Sequence, residues 1–353
     1  MKATVALKEF MPAVTLAKRF VSDRALIPQL TQFYFAQDAL HACADDAGCV
    51  LPLTWTVDEP FCVSASVHEQ GQDTITLSRS AASLTVTATG FTARLPVTSG
   101  DDFPILSPPD PVGAPLPVIF WETLARTRFT ICEDTTKPFL LGVHWSTTGA
   151  LVSSDALRVS YARPRKDAPC SETGILIPSH LLSRLGARIQ DVTHLHVQES
   201  ALWALLPSGA VYGRLLAESF PIETASTRIQ ALRGRAKTGG TWVALHPSTC
   251  PLALILDRLL VFTDTLIPPI RVEVTPSLLR LRVEGEPGIP AVAEETLPCE
   301  TRGPGGVLTI NGRFLKEAWE AGLTRFWFSD TKTPIYFLSG DGYLEHLMMP
   351  LSE

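Results

Sequence analysis

The stretch Lys137–Pro164, KPFLLGVHWSTTGALVSSDALRVSYARP, decides the fold. Phe139–Trp145 is an apolar, β-rich run, Thr147-Thr148-Gly149 supplies a turn, and Ala150–Ser153 resumes the run. A second turn at Ser154-Asp155 leads into Leu157–Tyr161, where apolar and polar residues alternate with the period of a half-buried strand. Two other stretches keep this order. Ile27–Asp46 (IPQLTQFYFAQDALHACADD) runs proline, apolar strand, short turn, apolar strand and acidic turn; Ile267–Glu284 (IPPIRVEVTPSLLRLRVE) repeats it. The copies begin about 110 to 130 residues apart, so the chain reads as three versions of one domain.

Length agrees, since 353 residues divide into three parts of about 115, an ordinary domain size. Hydrophobic residues make up 45% and charged residues 19%, which is a globular composition with ample core. The N-terminal MKATVALKEFMPAV lacks the apolar core and cleavage site of a signal peptide, and no run of about 18 apolar residues marks a membrane span. The seven cysteines (43, 49, 62, 132, 170, 250 and 299) are scattered without a CxxC pair, which points to a reducing cytoplasm and away from a zinc or disulfide framework. A net charge of −6 excludes a protein that simply coats nucleic acid, though not one whose positive charge faces inward.

In chain order, residues 1–113 read as a strand at Lys2–Val5, a helix near Leu7–Phe20, the repeat unit, and a short helix at Phe61–Glu69. Strands at Thr74–Ser78, Leu84–Ala88 and Phe91–Val97 follow, then a proline-rich linker from Asp101 to Pro117. Residues 114–236 repeat the plan, with helices at Val118–Cys132 and Leu181–Leu185 and strands at Ile175–Ile177, Val192–Gln198, Ala201–Leu206 and Ala210–Leu216. Ser219-Phe220-Pro221 echoes Asp102-Phe103-Pro104, and Arg228, Arg233, Arg235 and Lys237 read as a basic linker ending at Gly239-Gly240. Residues 237–353 make the third pass, with helices at Pro247–Phe262 and Gly312–Ala321 and strands at Val307–Ile310, Arg325–Phe328, Pro334–Leu338 and Tyr343–Met349. Helices alternating with antiparallel strands in each third define an α+β class, two helices covering a sheet.

At this level the sequence resembles the bacterial sliding clamp, the β subunit of the replicative DNA polymerase III. The residues that carry the likeness are Met1-Lys2, the Arg24–Pro28 strand entry, Asp102-Phe103-Pro104, Val152–Val159, Phe220-Pro221 and Leu347-Met348-Met349-Pro350-Leu351. The family's central Thr-Asp-Gly-His-Arg-Leu motif keeps Asp155 and Arg158 here, with Ser154 for Thr, Ala156 for Gly and Leu157 for His. The resemblance implies three clamp domains and a head-to-tail homodimeric ring with a helical inner wall. Duplex DNA threads such a ring without sequence preference, and a polymerase or clamp loader docks through a short peptide. It implies a cytoplasmic, nucleoid-associated protein with no catalysis and no cofactor.

Family position places DNA contacts at Arg24, Lys137 and Phe139. The helix reading adds Arg126, Arg128, Arg184 and Arg188, and the six helical windows carry a net +4 against −10 for the remainder. The partner-peptide cleft maps to Leu140, Ser154, Asp155, Ala156, Leu157, Arg158, Val159, Pro221, Leu347, Met349, Pro350 and Leu351, nearly all apolar as an anchor pocket requires. The dimer interface maps to Ala93 and Leu95 on one copy and Val261 and Phe262 on the other.

Other motifs carry less. His194 and His196, two apart on a strand, lack a third metal ligand and read as exposed polar positions; no metal site is expected. Gly303-Pro304-Gly305-Gly306 has no following Lys-Ser/Thr and reads as a hairpin connection rather than a phosphate loop. No nucleophile or metalloprotease motif occurs. Two alternatives stand beside the clamp: a clamp-like partner scaffold that is not loaded on DNA, and an α+β enzyme with a dispersed site.

Overall fold

The computed structural model describes residues 2–23, 27–65, 74–166, 168–216, 219–248, 250–263, 265–284 and 292–351. In chain order the elements are β1 (Lys2–Ala6), α1 (Leu7–Lys18), β2 (Gln32–Phe35), β3 (Ala39–Cys43), β4 (Ala47–Pro52), β5 (Phe61–Ser64), β6 (Thr74–Arg79), β7 (Ser83–Ala88) and β8 (Phe91–Thr98). Next come α2 (Val118–Thr127), β9 (Gly142–Trp145), β10 (Leu151–Ser154), β11 (Arg158–Ala162), β12 (Ile175–Pro178), α3 (Ser179–Leu185), β13 (His194–Gln198), β14 (Ala201–Leu206), β15 (Gly209–Arg214) and α4 (Ile222–Arg235). The last part holds β16 (Thr241–Ala244), α5 (Leu252–Leu260), β17 (Pro269–Val274), β18 (Leu278–Glu284), β19 (Val292–Pro298), β20 (Glu300–Arg302), β21 (Gly306–Asn311), α6 (Gly312–Glu320), β22 (Arg325–Phe328), β23 (Ile335–Leu338) and β24 (Leu344–Met348).

Contacts part the chain into two compact units, residues 1–118 with 177–215 and residues 119–176 with 216–353. The first unit holds an eleven-stranded sheet in the order β1-β6-β7-β8-β5-β2-β3-β4-β15-β14-β13. Its continuity rests on the antiparallel pairing of Ala47–Val50 with Ala210–Gly213. The second unit holds a nine-stranded sheet, β12-β9-β10-β11-β24-β23-β22-β16-β20, and a four-stranded sheet, β19-β18-β17-β21. The partition follows sheet continuity, while the expected boundaries after residues 113 and 236 follow sequence repetition.

The repeat is visible in matched detail. A single 3-10 turn opening on proline, Pro28–Thr31 and Pro138–Leu140, feeds β2 and β9 in the first two copies, and Pro269 opens β17 in the third. Proline suits these starts because its fixed φ is already that of the turn and its missing donor costs nothing there. The two Phe-Pro echoes also match: Phe103 is buried and stacks on Tyr34 at 4.7 Å, and Phe220 is buried and stacks on His144 at 5.4 Å.

Helices form where apolar spacing and stop signals agree. On α1, Phe10, Val14 and Ala17 are buried at intervals of four and three, one face of a 3.6-residue period. On α6, Asn311 caps the start by accepting from the Arg313 backbone amide at 3.0 Å, and Gly322, at φ 85°, stops it in a conformation that glycine takes without strain.

Four expectations need correction. Phe61–Ser64 is a strand, β5, paired with β2 and β8, because Phe61, Cys62 and Val63 are all buried between neighbours; the rest of the expected Phe61–Glu69 helix from residue 66 onward lies outside the described residues. The expected helix at Pro247–Phe262 begins only at Leu252. The basic linker at Arg228–Lys237 is instead α4, with Ala225, Ile229 and Leu232 buried. Gly303–Gly306 joins β20, paired with β16, to β21, paired with β17, so it carries the chain between two sheets and closes no hairpin. Strands β4, β16, β19 and β20 were not anticipated.

Candidate functional site

The turn after β10 and the last strand meet in register. Strand β11 pairs with β24, Arg158 opposite Met348 and Val159 opposite Leu347, and the Met349 amide donates to the Leu157 carbonyl at 3.3 Å. Asp155 closes the turn, its Oδ1 accepting from the amides of Leu157 at 2.9 Å and Arg158 at 2.8 Å, while the Ser154 hydroxyl donates to the Arg158 carbonyl at 2.7 Å. This is why short polar residues stand at 154 and 155: each supplies an oxygen that a turn backbone would otherwise lack.

Ala156 sits at φ 76°, left-handed backbone that an L residue with a Cβ occupies at a cost of about 1–2 kcal/mol. The related motif has glycine at this place, and the turn retains the glycine conformation. Ala156→Gly is therefore expected to raise stability by about 0.5–1 kcal/mol after glycine's own entropy is allowed for. Chemical denaturation checks this; an unchanged or lower midpoint would show the turn relaxes around alanine.

Arg158 is 5% exposed and fully engaged. Its Nε meets Asp155 at 2.8 Å, its Nη1 meets Glu317 at 2.5 Å, and its guanidinium lies 3.6 Å over the Phe314 ring. Glu317 and Phe314 belong to α6, and Arg158 Nη2 also donates to the Phe129 carbonyl at 3.4 Å, so Arg158 ties that helix and the segment after α2 to the 154–158 turn. The expected cleft residues thus divide. Leu140, Ser154, Arg158 and Leu347 are buried and form a floor; Ala156, Leu157, Pro221 and Met349 are exposed; Asp155, Val159, Pro350 and Leu351 are half-buried. Leu157 and Met349, at 53% and 43% exposure, present large apolar side chains to solvent side by side with the joined strands. The Leu351 amide donates to Thr309 on β21 at 2.8 Å and holds the chain end in place.

Two apolar clusters support this floor and share Val159 and Tyr161. One contains Leu140, Val152, Phe220 and Ala225; the other contains Ile229, Leu232, Trp327, Tyr336 and Leu347. Helix α4 contributes to both, and it escaped sequence reading although Ile222, Ala225, Ile229 and Leu232 recur at helical spacing. The arginines on its other face obscured that period. Phe314 and Glu317 were also missed.

The expected DNA-contact residues are more restrained than their charge suggests. Arg24 lies outside the described residues. Lys137 pairs with Asp134 at 2.9 Å, and hydrogen bonds from Thr136 first and Lys137 second hold the Asp134 carboxyl down at about 2. Phe139 is half-buried against the Leu140 cluster. Arg126 donates to the Ala321 carbonyl and pairs with Asp341 at 3.0 Å. In the other unit, Arg184 pairs with Asp46 at 2.8 Å and Arg188 with Asp191 at 2.5 Å. Arg128 is exposed and has no ion-pair partner among the described residues.

The residues expected at a dimer contact present open edges. Strand β8 pairs through Phe91–Pro96 with β7, but only Val97 and Thr98 pair with β5, so the outward edge at Ala93 and Leu95 has no strand partner among the described residues. Val261 and Phe262, just past α5, are 81% and 47% exposed. His194 and His196 are half-buried and stacked, ring centres 5.9 Å apart, rather than freely exposed.

This architecture is the DNA-clamp fold, an α+β fold of helices on antiparallel sheets. The solved structures it resembles are DNA polymerase III β subunits. A Eubacterium rectale protein described as such a subunit superposes with TM-score 0.85 at 16% identity, covering 100% of both chains. The Caulobacter crescentus β sliding clamp gives 0.84 at 17% over 100% of this chain and 99% of that one, and the Pseudomonas aeruginosa β subunit 0.82 at 18% over 100% of both. No family model and no curated protein matches the sequence. The chain has the sliding-clamp fold.

Proposed function

We propose that this chain is a divergent sliding clamp, a DNA polymerase processivity factor that binds and tethers without catalysis. In this reading residues 1–113, 114–236 and 237–353 are its three clamp domains, and two copies close a ring around duplex DNA. The observation that carries it is the end-to-end match to clamp structures, which covers the whole of this chain and of those chains. Among the described residues, no helix is long and apolar enough to cross a membrane.

The partner site is the surface around Leu157 and Met349. A short apolar peptide would lie on these exposed side chains over the buried floor of Leu140 and Leu347 and the half-buried Val159, in the manner of an anchor in a preformed pocket. Arg158 acts beneath that surface, fixing the turn. Met349→Ala is expected to weaken binding of a Gln/Leu/Phe-rich peptide by about 1–3 kcal/mol. A fluorescence titration measures it, and equal affinity for the two proteins would place the peptide elsewhere.

A second reading has a specific observation behind it. Lys137, Arg126, Arg184 and Arg188 each already neutralise a carboxylate, which leaves less charge for phosphates than a loaded clamp uses. A clamp-like scaffold that binds partners without encircling DNA accounts for that. Retention on nicked circular DNA but not on the same DNA linearised supports the ring; no retention on either, with peptide binding intact, supports the scaffold.

A further inference from the structure

Helix α4 crosses the same face of the nine-stranded sheet that carries the Leu157–Met349 surface. Ile229 and Leu232 of the helix pack in one cluster with Leu347, while Arg233, on one flank, reaches Glu345. Side chains of a strand alternate between faces, so Glu345, Leu347 and Met349 follow one another along this face about 7 Å apart. The helix therefore sits over Leu347 with its Arg233 flank at Glu345, and its opposite flank borders Met349. Leu157, whose carbonyl accepts from the Met349 amide, lies beside it.

That opposite flank is cationic. Arg228 and Arg235 are seven residues apart, about two turns and about 10 Å along the axis, so they share the side turned away from Arg233. Both are exposed, and neither has an ion-pair partner among the described residues. Within the chain, positions 224, 225, 231 and 232 about Arg228, and 231, 232, 238 and 239 about Arg235, are all uncharged, so no acid stands at helical pairing distance. Arg235 in the last turn complements the negative helix end, but Arg228 is mid-helix, where the dipole gives a cation little. Other arginines of this unit are answered: Arg158 by Asp155 and Glu317, Arg163 and Arg233 by Glu345, and Arg165 by Asp341. The turn before β23, whose Ile335 lies opposite Met348, brings one acid and one base, Asp330 and Lys332, to the same end of the sheet. The balance beside the apolar pair is thus positive.

We propose that the partner peptide of the Leu157–Met349 surface carries acidic residues next to its apolar anchors, and that Arg228 and Arg235 receive them. This rests on that surface being the peptide site and adds a charge requirement to its ligand. Arginine suits the role because its planar fork takes a carboxylate through two parallel hydrogen bonds. Apolar peptides without the acids bind less tightly, so the flank of α4 selects among partners that share the same anchors.

The test uses two labelled peptides with one Gln/Leu/Phe-rich core, flanked on both sides by Asp in one and by Ser in the other, titrated against the full chain. At low ionic strength the Asp-flanked peptide is expected to bind about fivefold more tightly, the worth of two exposed ion pairs. The advantage should vanish near 1 M salt, where charges are screened within about 3 Å. Arg228→Glu with Arg235→Glu is expected to abolish the preference and leave the Ser-flanked affinity unchanged. Lys8→Glu with Lys18→Glu makes the same change in net charge on exposed positions of α1 and should leave the preference intact. Should the reversal disturb folding, Arg228→Gln with Arg235→Gln is expected to remove most of the preference. Equal affinities for the two peptides, a preference that survives the Arg228 and Arg235 changes, or one that the α1 reversal removes equally would overturn the proposal while leaving the peptide site standing. Binding of neither peptide would overturn both.

Discussion

Glu345→Ala is expected to lower the unfolding free energy by about 3–5 kcal/mol at pH 7. Glu345 lies on β24 and is fully buried. Its Oε1 receives Arg163 Nη2 at 2.6 Å and Arg233 Nε at 2.8 Å; Arg233 Nη2 reaches Oε2, and the Tyr336 hydroxyl donates to Oε1. Three elements thereby converge on one carboxylate: the end of β11, helix α4 and strand β23. Removing it strands two guanidinium groups, each about one-third exposed, beside an apolar cluster. Burial alone would raise the Glu345 pKa, but the hydrogen bonds from Arg163, Arg233 and Tyr336 outweigh it and hold the carboxyl below its ordinary 4.5. The sign follows: a depressed carboxyl contributes stability above about pH 4.5, and that contribution fades as pH falls through the lowered value. Glu345→Gln, which keeps the shape and loses the charge, is thus expected to cost about 2–3 kcal/mol at pH 7. It should cost progressively less below pH 4.5. Urea unfolding of both variants at neutral and acid pH measures this; a Glu345→Gln penalty independent of pH would mean the carboxylate is not held ionised by its arginines.

Much of the fold was legible because the repeat is written in local signals. Proline followed by two apolar strands recurs at Pro28, Pro138 and Pro269, and Phe-Pro recurs at 103 and 220; each of these does the same physical work in its copy. The 154–158 turn was also legible, since Asp155 and Ser154 act through their own neighbouring backbone. What failed was longer in range. The arginines of α4 looked like a linker because the residue that makes one of them, Arg233, structural is Glu345, more than a hundred positions away in sequence. Phe61–Ser64 looked helical after Asp58-Glu59-Pro60, yet pairing with β2 and β8 overrode that start signal. Arg158 is the instructive case at the site itself. Its position in the motif placed it in the wall of the peptide cleft, and only tertiary contact reveals Phe314 and Glu317 holding it.

If two copies close a ring, Phe262→Asp is expected to convert a dimer into folded monomers. Phe262 and Val261 follow α5, and Leu254 on that helix is 66% exposed, so three large apolar side chains stand uncovered at one end of the chain's second unit. Uncovered groups of this kind mark contact surfaces rather than ordinary solvent faces. The complementary feature is the edge of β8 at Ala93 and Leu95, which has no strand partner among the described residues and carries half-buried side chains. The two features differ, so in such a ring the contact between copies would be head-to-tail, and every substitution would fall on both interfaces. A carboxylate buried there without a partner costs several kcal/mol per contact, and about 4 kcal/mol is already a thousandfold in dissociation constant. In the monomer residue 262 remains half exposed, so the melting temperature of the separated chain should move little. Light scattering at micromolar concentration is expected to give twice the 38.4 kDa chain for the wild type and the single chain for the variant. A dimeric Phe262→Asp protein would move the interface away from α5. A monomeric wild type would remove the ring altogether and leave the partner scaffold, whose peptide surface at Leu157 and Met349 needs no second copy.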